Sequence, residues 1–222
     1  TPKPSSAASD VYKRQLQGPE PDMQILAHRG WWRSPSEKNS EGAFRAALSA
    51  GYGIETDIRD FDGRLVISHD PARADAMDLD DFLTLYLSYP DSGILALNVK
   101  SDGLASKMVE ALSARKIQSY FVFDMSVPDS LHYFKINATV YTRRSEFESE
   151  SELDQHAAGV WLDSFTGRDD AKLMSLAVAL PLKSALVSPE LHGRDHRTAW
   201  ESWLATPGFD QAGIASVSYT HL

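Results

Sequence analysis

Short apolar runs alternate with amphipathic segments along the chain, and this alternation restricts the possible folds more than any other feature of the sequence. The apolar runs predict strands at residues 25–27, 53–58, 94–99, 120–123, 138–141, 160–162 and 184–187, with a short hairpin return at 64–68. The amphipathic segments predict helices at residues 41–50, 77–89, 104–115 and 198–205, and one that begins near Pro128. Strands that alternate with helices in this way imply a parallel sheet covered by helices.

Two folds are compatible with this order, a doubly wound sheet and an eightfold barrel. A nucleotide-binding doubly wound fold would have a glycine-rich turn after the first strand, but the turn here reads HRGWWRSPSEKNS. We therefore predict an α/β fold of the (β/α)8 TIM-barrel type. About seven barrel strands can be counted, and an eighth would have to start near residue 213. The predicted barrel therefore lacks all or most of its eighth strand.

The two ends of the chain do not follow the pattern of its body. Residues 1–22 are rich in Pro, Ser and Ala without periodicity, which predicts a disordered or foreign tail. The closing SVSYTHL has no helical partner and no turn signal, so residues 215–222 are interpreted as a second foreign tail. Residues 23–214 then form one barrel domain with no internal boundary.

Composition excludes several classes of function. A net charge of −9 disfavours nucleic acid as a partner, because a nucleic-acid binder needs a basic face. The chain has no cysteine, so any metal must be held by oxygen or imidazole. No apolar run approaches the roughly 20 residues of a membrane span, and no secretory signal is visible, which predicts a cytoplasmic protein. The sequence does not indicate an oligomeric state.

Ionisable and amide side chains gather where the predicted strands end. They are His28, Arg29, Glu55, Asp57, His69, Asn98, Lys100, Asp124, Arg143, Asp163, Glu190 and His192. In a barrel these ends share one face, where active sites of such barrels lie. Each residue alone has a structural explanation, but so many ionisable groups on one rim are costly unless they are paired or used.

The spacing of Glu55 and Asp57 indicates a specific chemistry. Alternate residues of a strand point to the same face, so the two carboxylates converge and suit a hard divalent cation. Asn98 and Lys100 repeat the spacing on the next strand and would offer an amide oxygen and a cation. His28 and His69 would frame this group as acid and base, with Arg29 to hold a phosphate. The expected cofactor is Mg²⁺, Ca²⁺ or Mn²⁺, and the expected substrate is a small phosphodiester.

The stretch from AHRGWW to LVISHD, residues 27–70, resembles the glycerophosphodiester phosphodiesterase family. It contains His-Arg-Gly, an Asn before a helix that ends in Ala-x-x-x-Gly, Glu-x-Asp, and Gly-x-x-Val-x-x-His-Asp in that order. The resemblance implies a barrel that hydrolyses glycerol-type phosphodiesters with a divalent metal. It implies acid and base roles for His28 and His69, metal ligation by Glu55 and Asp57, and phosphate contacts from Arg29 and Lys100.

Two positions depart from the family pattern. Asn98 stands where the family usually has a glutamate ligand, and Glu37-Lys38-Asn39 stands in place of the usual Pro-Glu-Asn. These changes suggest a divergent branch with a different head group, such as a sugar or polyol. Substrate selection then falls to the later strand ends, although rim salt bridges would explain the same residues: Asp124, Arg143, Asp163, Glu190 and His192. A non-catalytic barrel that binds a phosphorylated polyol or lipid head group, and a lyase that stops at a cyclic phosphate, remain alternatives.

Overall fold

The computed structural model describes residues 24–168, 170–208 and 215–218. Its strands are β1 (Gln24–His28), β2 (Gly53–Phe61), β3 (Arg64–Ile67), β4 (Leu95–Val99), β5 (Tyr120–Phe123), β6 (Tyr141–Arg144), β7 (Gly159–Leu162), β8 (Lys183–Val187) and β9 (Ala215–Ser218). Its helices are α1 (Glu41–Ser49), α2 (Leu79–Leu87), α3 (Ala105–Ala114), α4 (Val127–Lys135), α5 (Asp170–Ala179) and α6 (Arg197–Leu204). Short 3-10 helices lie at Pro35–Glu37, Glu152–Gln155 and Pro189–His192. The predicted order of strands and helices is therefore confirmed.

The strands form one curled sheet in the order β5-β4-β2-β1-β9-β8-β7-β6, and all neighbours along this path are parallel. β3 lies off the path and pairs antiparallel with β2, as the predicted hairpin return requires. A curled parallel sheet covered by helices is consistent with the predicted TIM-type barrel.

The prediction that the eighth barrel strand is missing is wrong. Residues 215–218 form β9, which pairs with β1 on one side and with β8 on the other. The segment ASVS has no apolar run to mark it as a strand, so its place is decided by the two neighbours that need hydrogen-bond partners. The predicted foreign tail thus contributes a strand to the sheet. Residues 1–22 and 219–222, where the remaining tail predictions fall, lie outside the described residues.

The two ends of the path, β5 and β6, are joined more weakly than the other neighbours. One parallel bridge connects Val122 to Val140, and the amide of Val122 donates a hydrogen bond to the carbonyl of Thr139 at 2.9 Å. This junction, the β5–β6 seam, is the weakest link of the sheet among the residues that the structure describes.

The strand β6 lies three residues further along the chain than predicted. The apolar residues 138–141 suggested the strand, but α4 is followed by Asn137 in the left-handed region, and the regular strand starts at Tyr141. The strand therefore includes Arg143 and Arg144, whose side chains go to opposite faces of the sheet.

Local signals explain how the helices begin. The side chain of Ser40 accepts a hydrogen bond from the amide of Ala43 at 3.2 Å and so caps α1. Ser126 caps α4 in the same way, and Pro128 occupies the first turn of that helix.

Alternation along the strands divides the apolar residues into two layers. One face of the sheet packs against the helices, for example where Phe44 of α1 contacts Phe82 of α2 with ring centres 4.7 Å apart. The other face forms an inner cluster in which Phe123 stacks on Trp161 at 4.0 Å. Within the described part of the chain, no helix is both long and apolar enough to cross a membrane.

Candidate active site

Three adjacent strands bring the first group of predicted site residues together. Parallel pairing sets His28 of β1 beside Glu55 of β2, and Asp57 of β2 beside Asn98 of β4. Glu55 and Asn98 thereby share the face of the inner apolar cluster, because Glu55 is also paired with Ala96 of that cluster. The register brings these side chains together beside the carboxyl ends of β1 and β4, whereas Glu55 and Asp57 lie within β2, which continues to Phe61.

Asp57 is the centre of this group and is fully buried. Its Oδ2 lies 2.9 Å from Nε of Arg29 and accepts a hydrogen bond of 2.9 Å from the side-chain nitrogen Nδ2 of Asn39. Its Oδ1 lies 3.5 Å from Nζ of Lys100. A buried carboxylate requires such partners, and here they are two cations and an amide.

The backbone after β1 explains why His-Arg-Gly stands at this point. Arg29 adopts φ 59°, which lets its amide donate to the carbonyl of Glu55 at 2.8 Å. Gly30 follows at φ 86°, and a Cβ there would lie 2.7 Å from the backbone carbon of Ala43 in α1. The motif is therefore a tight turn that packs on a helix and directs the arginine toward Asp57.

Asn39 is a site residue for which the sequence assigned no role. Its side chain bridges the site, since it donates to Asp57 and accepts from the hydroxyl of Thr56 at 2.8 Å. Its backbone amide donates to the carbonyl of Arg29 at 3.0 Å, and its φ is 59°. The asparagine of the family motif was visible in the sequence, but its contact depends on how the loop folds back.

Three buried oxygens of this group have no hydrogen-bond partner, and they are Oε2 of Glu55, Oδ1 of Asp57 and Oδ1 of Asn98. The amide of Asn98 lies beside Glu55, with Nδ2 3.5 Å from Oε1. Burial, reinforced by the nearby charge of Asp57, raises the pKa of Glu55 to about 8. The charges of Arg29 and Lys100 act in the opposite direction but do not offset the cost of burial.

These oxygens fit a hard divalent cation in chemical type, because carboxylate and amide oxygens are ligands of Mg²⁺ and Ca²⁺. The donor set carries fewer charges than a three-carboxylate site. In the described residues, no three His, Cys, Asp or Glu side chains are arranged as a metal site. Glu55, Asp57 and Asn98 are the residues that would hold the ion.

His28 ends β1 and lies against the carboxylate, with Nε2 3.6 Å from Oε2 of Glu55. Burial is the main cause that lowers the pKa of His28 well below its usual value, and the cations Arg29, Lys38 and Lys100 act in the same direction. The imidazole is therefore neutral near pH 7 and can accept a proton.

His69 reaches the site from the loop after β3 and is more open than His28. Its side chain is 45% exposed, and Nδ1 lies 2.9 Å from Oδ1 of Asp70. The charge of His69 is among the causes that lower the pKa of His28, so the two rings share one electrostatic environment. The backbone carbonyl of His69 accepts a hydrogen bond of 3.0 Å from Arg59, which holds the loop.

Lys38 occupies the position of the expected family acid. Its Nζ lies over the ring of Trp32, 4.6 Å from the ring centre. Desolvation and the charge of Arg29 lower the pKa of Lys38, while Asp57 raises it, so this lysine lies close to the carboxylate group. The site thus has a third cation where the family pattern has a negative charge.

Side chains at the ends of the later strands form a second polar network. Asp124 holds Arg143 through two hydrogen bonds of 2.8 and 2.5 Å, and Arg143 extends to Asp163 at 3.5 Å. Asp163 in turn lies 2.6 Å from Nε2 of His192. Nζ of Lys100 lies 3.9 Å from Asp124 and 3.5 Å from Asp57, so Lys100 connects this network to the first group of site residues.

Glu190 is placed differently from the other predicted substrate residues. It is buried and accepts a hydrogen bond from the hydroxyl of Ser188. The same hydroxyl accepts a hydrogen bond of 2.7 Å from the indole of Trp200 in α6. These contacts favour a structural role for Glu190 in attaching α6 to the sheet.

Several solved structures that are similar to this chain are described as glycerophosphodiester phosphodiesterases, so the resemblance seen in the sequence is confirmed at the level of fold. A glycerophosphodiester phosphodiesterase from Parabacteroides distasonis superposes with a TM-score of 0.64 at 16% identity, over 88% of this chain and 92% of the other. The enzyme of that name from Agrobacterium tumefaciens gives 0.63 at 15% identity, over 88% and 95%. A glycerophosphoryl diester phosphodiesterase from Parabacteroides distasonis gives 0.61 at 12% identity, over 88% and 82%. No protein-family model and no curated protein matches the chain.

Proposed function

We propose that this protein hydrolyses glycerol-type phosphodiesters to an alcohol and a phosphomonoester, with the help of a divalent metal ion. One observation carries the proposal. A neutral imidazole, two cations and three buried oxygens without hydrogen-bond partners converge where the carboxyl ends of β1 and β4 flank the middle of β2. Packing alone gives no reason to bury these oxygens without hydrogen-bond partners.

The chain's own residues have separate roles in this reaction. Arg29 and Lys100, both anchored on Asp57, hold the phosphate oxygens. His28 accepts the proton of the attacking hydroxyl as its oxygen bonds to phosphorus. His69 gives a proton to the oxygen of the leaving alcohol as the second P–O bond breaks. A divalent ion at Glu55, Asp57 and Asn98 would supply positive charge for the negative oxygens of the transition state.

The substrate's own hydroxyl is the proposed nucleophile, which gives a cyclic phosphate first. Water then opens the ring with the two histidines in exchanged roles, and the products are an alcohol and a phosphomonoester. A lyase would stop at the cyclic phosphate, so analysis of the products distinguishes it from the hydrolase.

A non-catalytic binding barrel is the second candidate, and two observations favour it. Asn98 brings no charge to the metal oxygens, and Lys38 adds positive charge beside Arg29. Cations alone are enough to bind an anionic head group. The buried neutral His28 is not needed for binding, and for that reason the hydrolase is preferred.

The test is release of alcohol from glycerophosphoglycerol and related diesters by the full chain, with Mg²⁺, Ca²⁺ or Mn²⁺ and with a chelator. We expect His28→Ala and His69→Ala each to lower kcat by about 10²- to 10⁴-fold, because each removes a proton-transfer group. His132→Ala, at an exposed histidine of α4 beside Ser106, is the matched control and should leave kcat unchanged.

Metal-dependent turnover that requires both histidines would support the hydrolase. Folded protein that binds these diesters without turnover under all metal conditions would contradict it and support the binding barrel.

A further inference from the structure

A cavity of about 580 Å³ opens beside Lys100, one of the two residues proposed to hold the phosphate. It lies between the carboxyl ends of β4 and β5, residues 140–143 at the start of β6, the first half of α4 and the loop that follows β6. Lys100 and Asp124 line it and also belong to the polar groups of the site. A diester whose phosphate contacts Lys100 would therefore have one of its alcohol groups at the cavity.

The β5–β6 seam explains why there is space at this point. The strands are joined at Val122 and Val140, and Asp124 then leaves the strand direction with φ 70°. A continuous ladder would draw the two strand ends together, as it does between β4 and β5. The strand arrangement therefore opens the cavity between β5 and β6, and the loop after β6 forms one of its walls.

The walls of the cavity are partly aliphatic. Met125, Val127, Val140 and Leu153 contribute apolar surface, and Val127 at the outer end is 61% exposed. The hydroxyl of Ser130 in α4 is already used, since it donates to the carbonyl of Ser126 at 2.9 Å. The rest of the lining is polar and includes Thr142, Ser149 and Ser151, so the cavity suits a group that has both carbon–hydrogen surface and a hydroxyl.

The charges at the cavity are already neutralised within the protein. Arg143 is held by Asp124 and also lies 3.9 Å from Glu148, while Lys100 contacts Asp57 and Asp124. A second anionic group would thus meet cations that have carboxylate partners. Among the lining residues, Tyr141 is the single aromatic, and its ring is stacked on Phe121 at 3.8 Å, so no aromatic cage is formed for a quaternary amine.

We propose that this cavity binds an uncharged, partly aliphatic alcohol of the phosphodiester substrate. The proposal rests on the function proposed above, and it narrows the substrate class to diesters that join glycerol to an uncharged alcohol larger than ethanol. The volume lies in the usual range of small-molecule sites, about 300–1,000 Å³.

The first measurement is binding to the full chain in the presence of a chelator, by calorimetry. The probes are the glycerol phosphodiesters of ethanol, hexan-1-ol and choline. Each methylene group moved from water into an apolar site strengthens binding by about fourfold. We expect the hexyl diester to bind at least tenfold more tightly than the ethyl diester, and the choline diester to bind no better than the ethyl one.

The second measurement compares wild-type protein with Ser130→Met, which fills the cavity from α4. We expect the hexyl-to-ethyl affinity ratio to fall at least fivefold, because the added side chain occupies the space of the alkyl chain. Ser113→Met places the same side chain on an exposed position of α3 and should leave the ratio unchanged. Ser149→Trp, on the exposed loop after β6, tests the cavity from its other wall if Ser130→Met is unstable.

These outcomes separate the two proposals. A hexyl-to-ethyl ratio below two, or a ratio unaffected in both filled variants, overturns the cavity assignment even if the ethyl diester is hydrolysed. A high ratio that both filled variants reduce, without turnover once metal is added, supports the cavity and overturns the hydrolase.

Discussion

At the scale of single residues, Glu55 shows how the site conflicts with stability. The side chain is 1% exposed, and Oε2 has no hydrogen-bond partner. The folded protein therefore favours the protonated acid, whereas the unfolded chain has an ordinary, exposed glutamate. A proton-binding group whose pKa is raised by folding makes the protein less stable as the pH rises from the unfolded value toward the folded one.

We predict that Glu55→Gln stabilises the metal-free protein at high pH. The glutamine side chain cannot ionise. The variant therefore avoids the free-energy cost of burying an ionised Glu55, or of protonating Glu55 at high pH. Relative to wild type, its free energy of unfolding should increase by on the order of 2 kcal/mol as the pH rises from about 5 to about 8. Denaturant unfolding at several pH values with a chelator measures this difference. A constant difference would show that Glu55 does not titrate in this range.

The residue positions could largely be predicted from the sequence, but the contacts could not. The spacing of Glu55 and Asp57 depends on local strand geometry, which the sequence reveals. The hydrogen bond from Asn39 to Asp57 spans 18 residues and requires a left-handed turn that no local pattern specifies. The metal-binding and catalytic roles of the predicted residues stay predictions.

At the scale of elements, β6 shows where apolar patterns fail. The strand contains two arginines, which apolar periodicity excludes, and they are tolerated because each has an acidic partner. Arg144 is buried and donates to Oδ2 of Asp154 at 2.6 Å, while Oδ1 of Asp154 accepts from Thr142 at 2.5 Å. Asp154 also accepts from the amide of Ser151, so it fastens the 3-10 helix Glu152–Gln155 to the strand.

We predict that Asp154→Ala lowers the free energy of unfolding by about 3 kcal/mol, because it leaves Arg144 buried without its main partner. The double variant Asp154→Ala with Arg144→Met should recover part of this loss, since it removes the uncompensated charge. Chemical denaturation of the three proteins measures both effects. A loss below 1 kcal/mol in the single variant would mean that Glu150, 3.8 Å from Arg144, replaces the lost partner.

At the scale of the whole molecule, the parallel sheet followed from the alternation of strands and helices. Its last strand did not, because β9 is recognised by its neighbours and not by its composition. The order β5-β4-β2-β1-β9-β8-β7-β6 also divides the sheet into two sets of strands, each from one continuous part of the sequence. The first five strands lie on one side of the β1–β9 ladder, the last four on the other, and the β5–β6 seam is the second boundary between them.

Each side also has its own outer apolar layer. One layer is formed by residues between Ala27 and Val140, and the other by residues between Val160 and Trp203. The inner cluster is shared, as in the stack of Phe123 on Trp161. The molecule is thus a pair of sequence-contiguous halves that meet along one full ladder and one bridge.

Such a molecule should reassemble from fragments. We expect residues 1–137 and 138–222, expressed together, to associate into a one-to-one complex with the secondary structure of the intact chain. The cut falls at Asn137, an exposed residue in the left-handed region where no ladder is interrupted. A matched cut after Lys116, between α3 and β5, would place β4 and β5, which form a full ladder, in different fragments. This pair of fragments should give much less complex in size-exclusion chromatography. Equal yields from both cuts would show that the seam is not a natural boundary. If the first cut alone succeeds, two separately encoded halves could supply this fold, and halves exchanged between related chains would have to match each other only at the shared inner cluster and along the β1–β9 ladder.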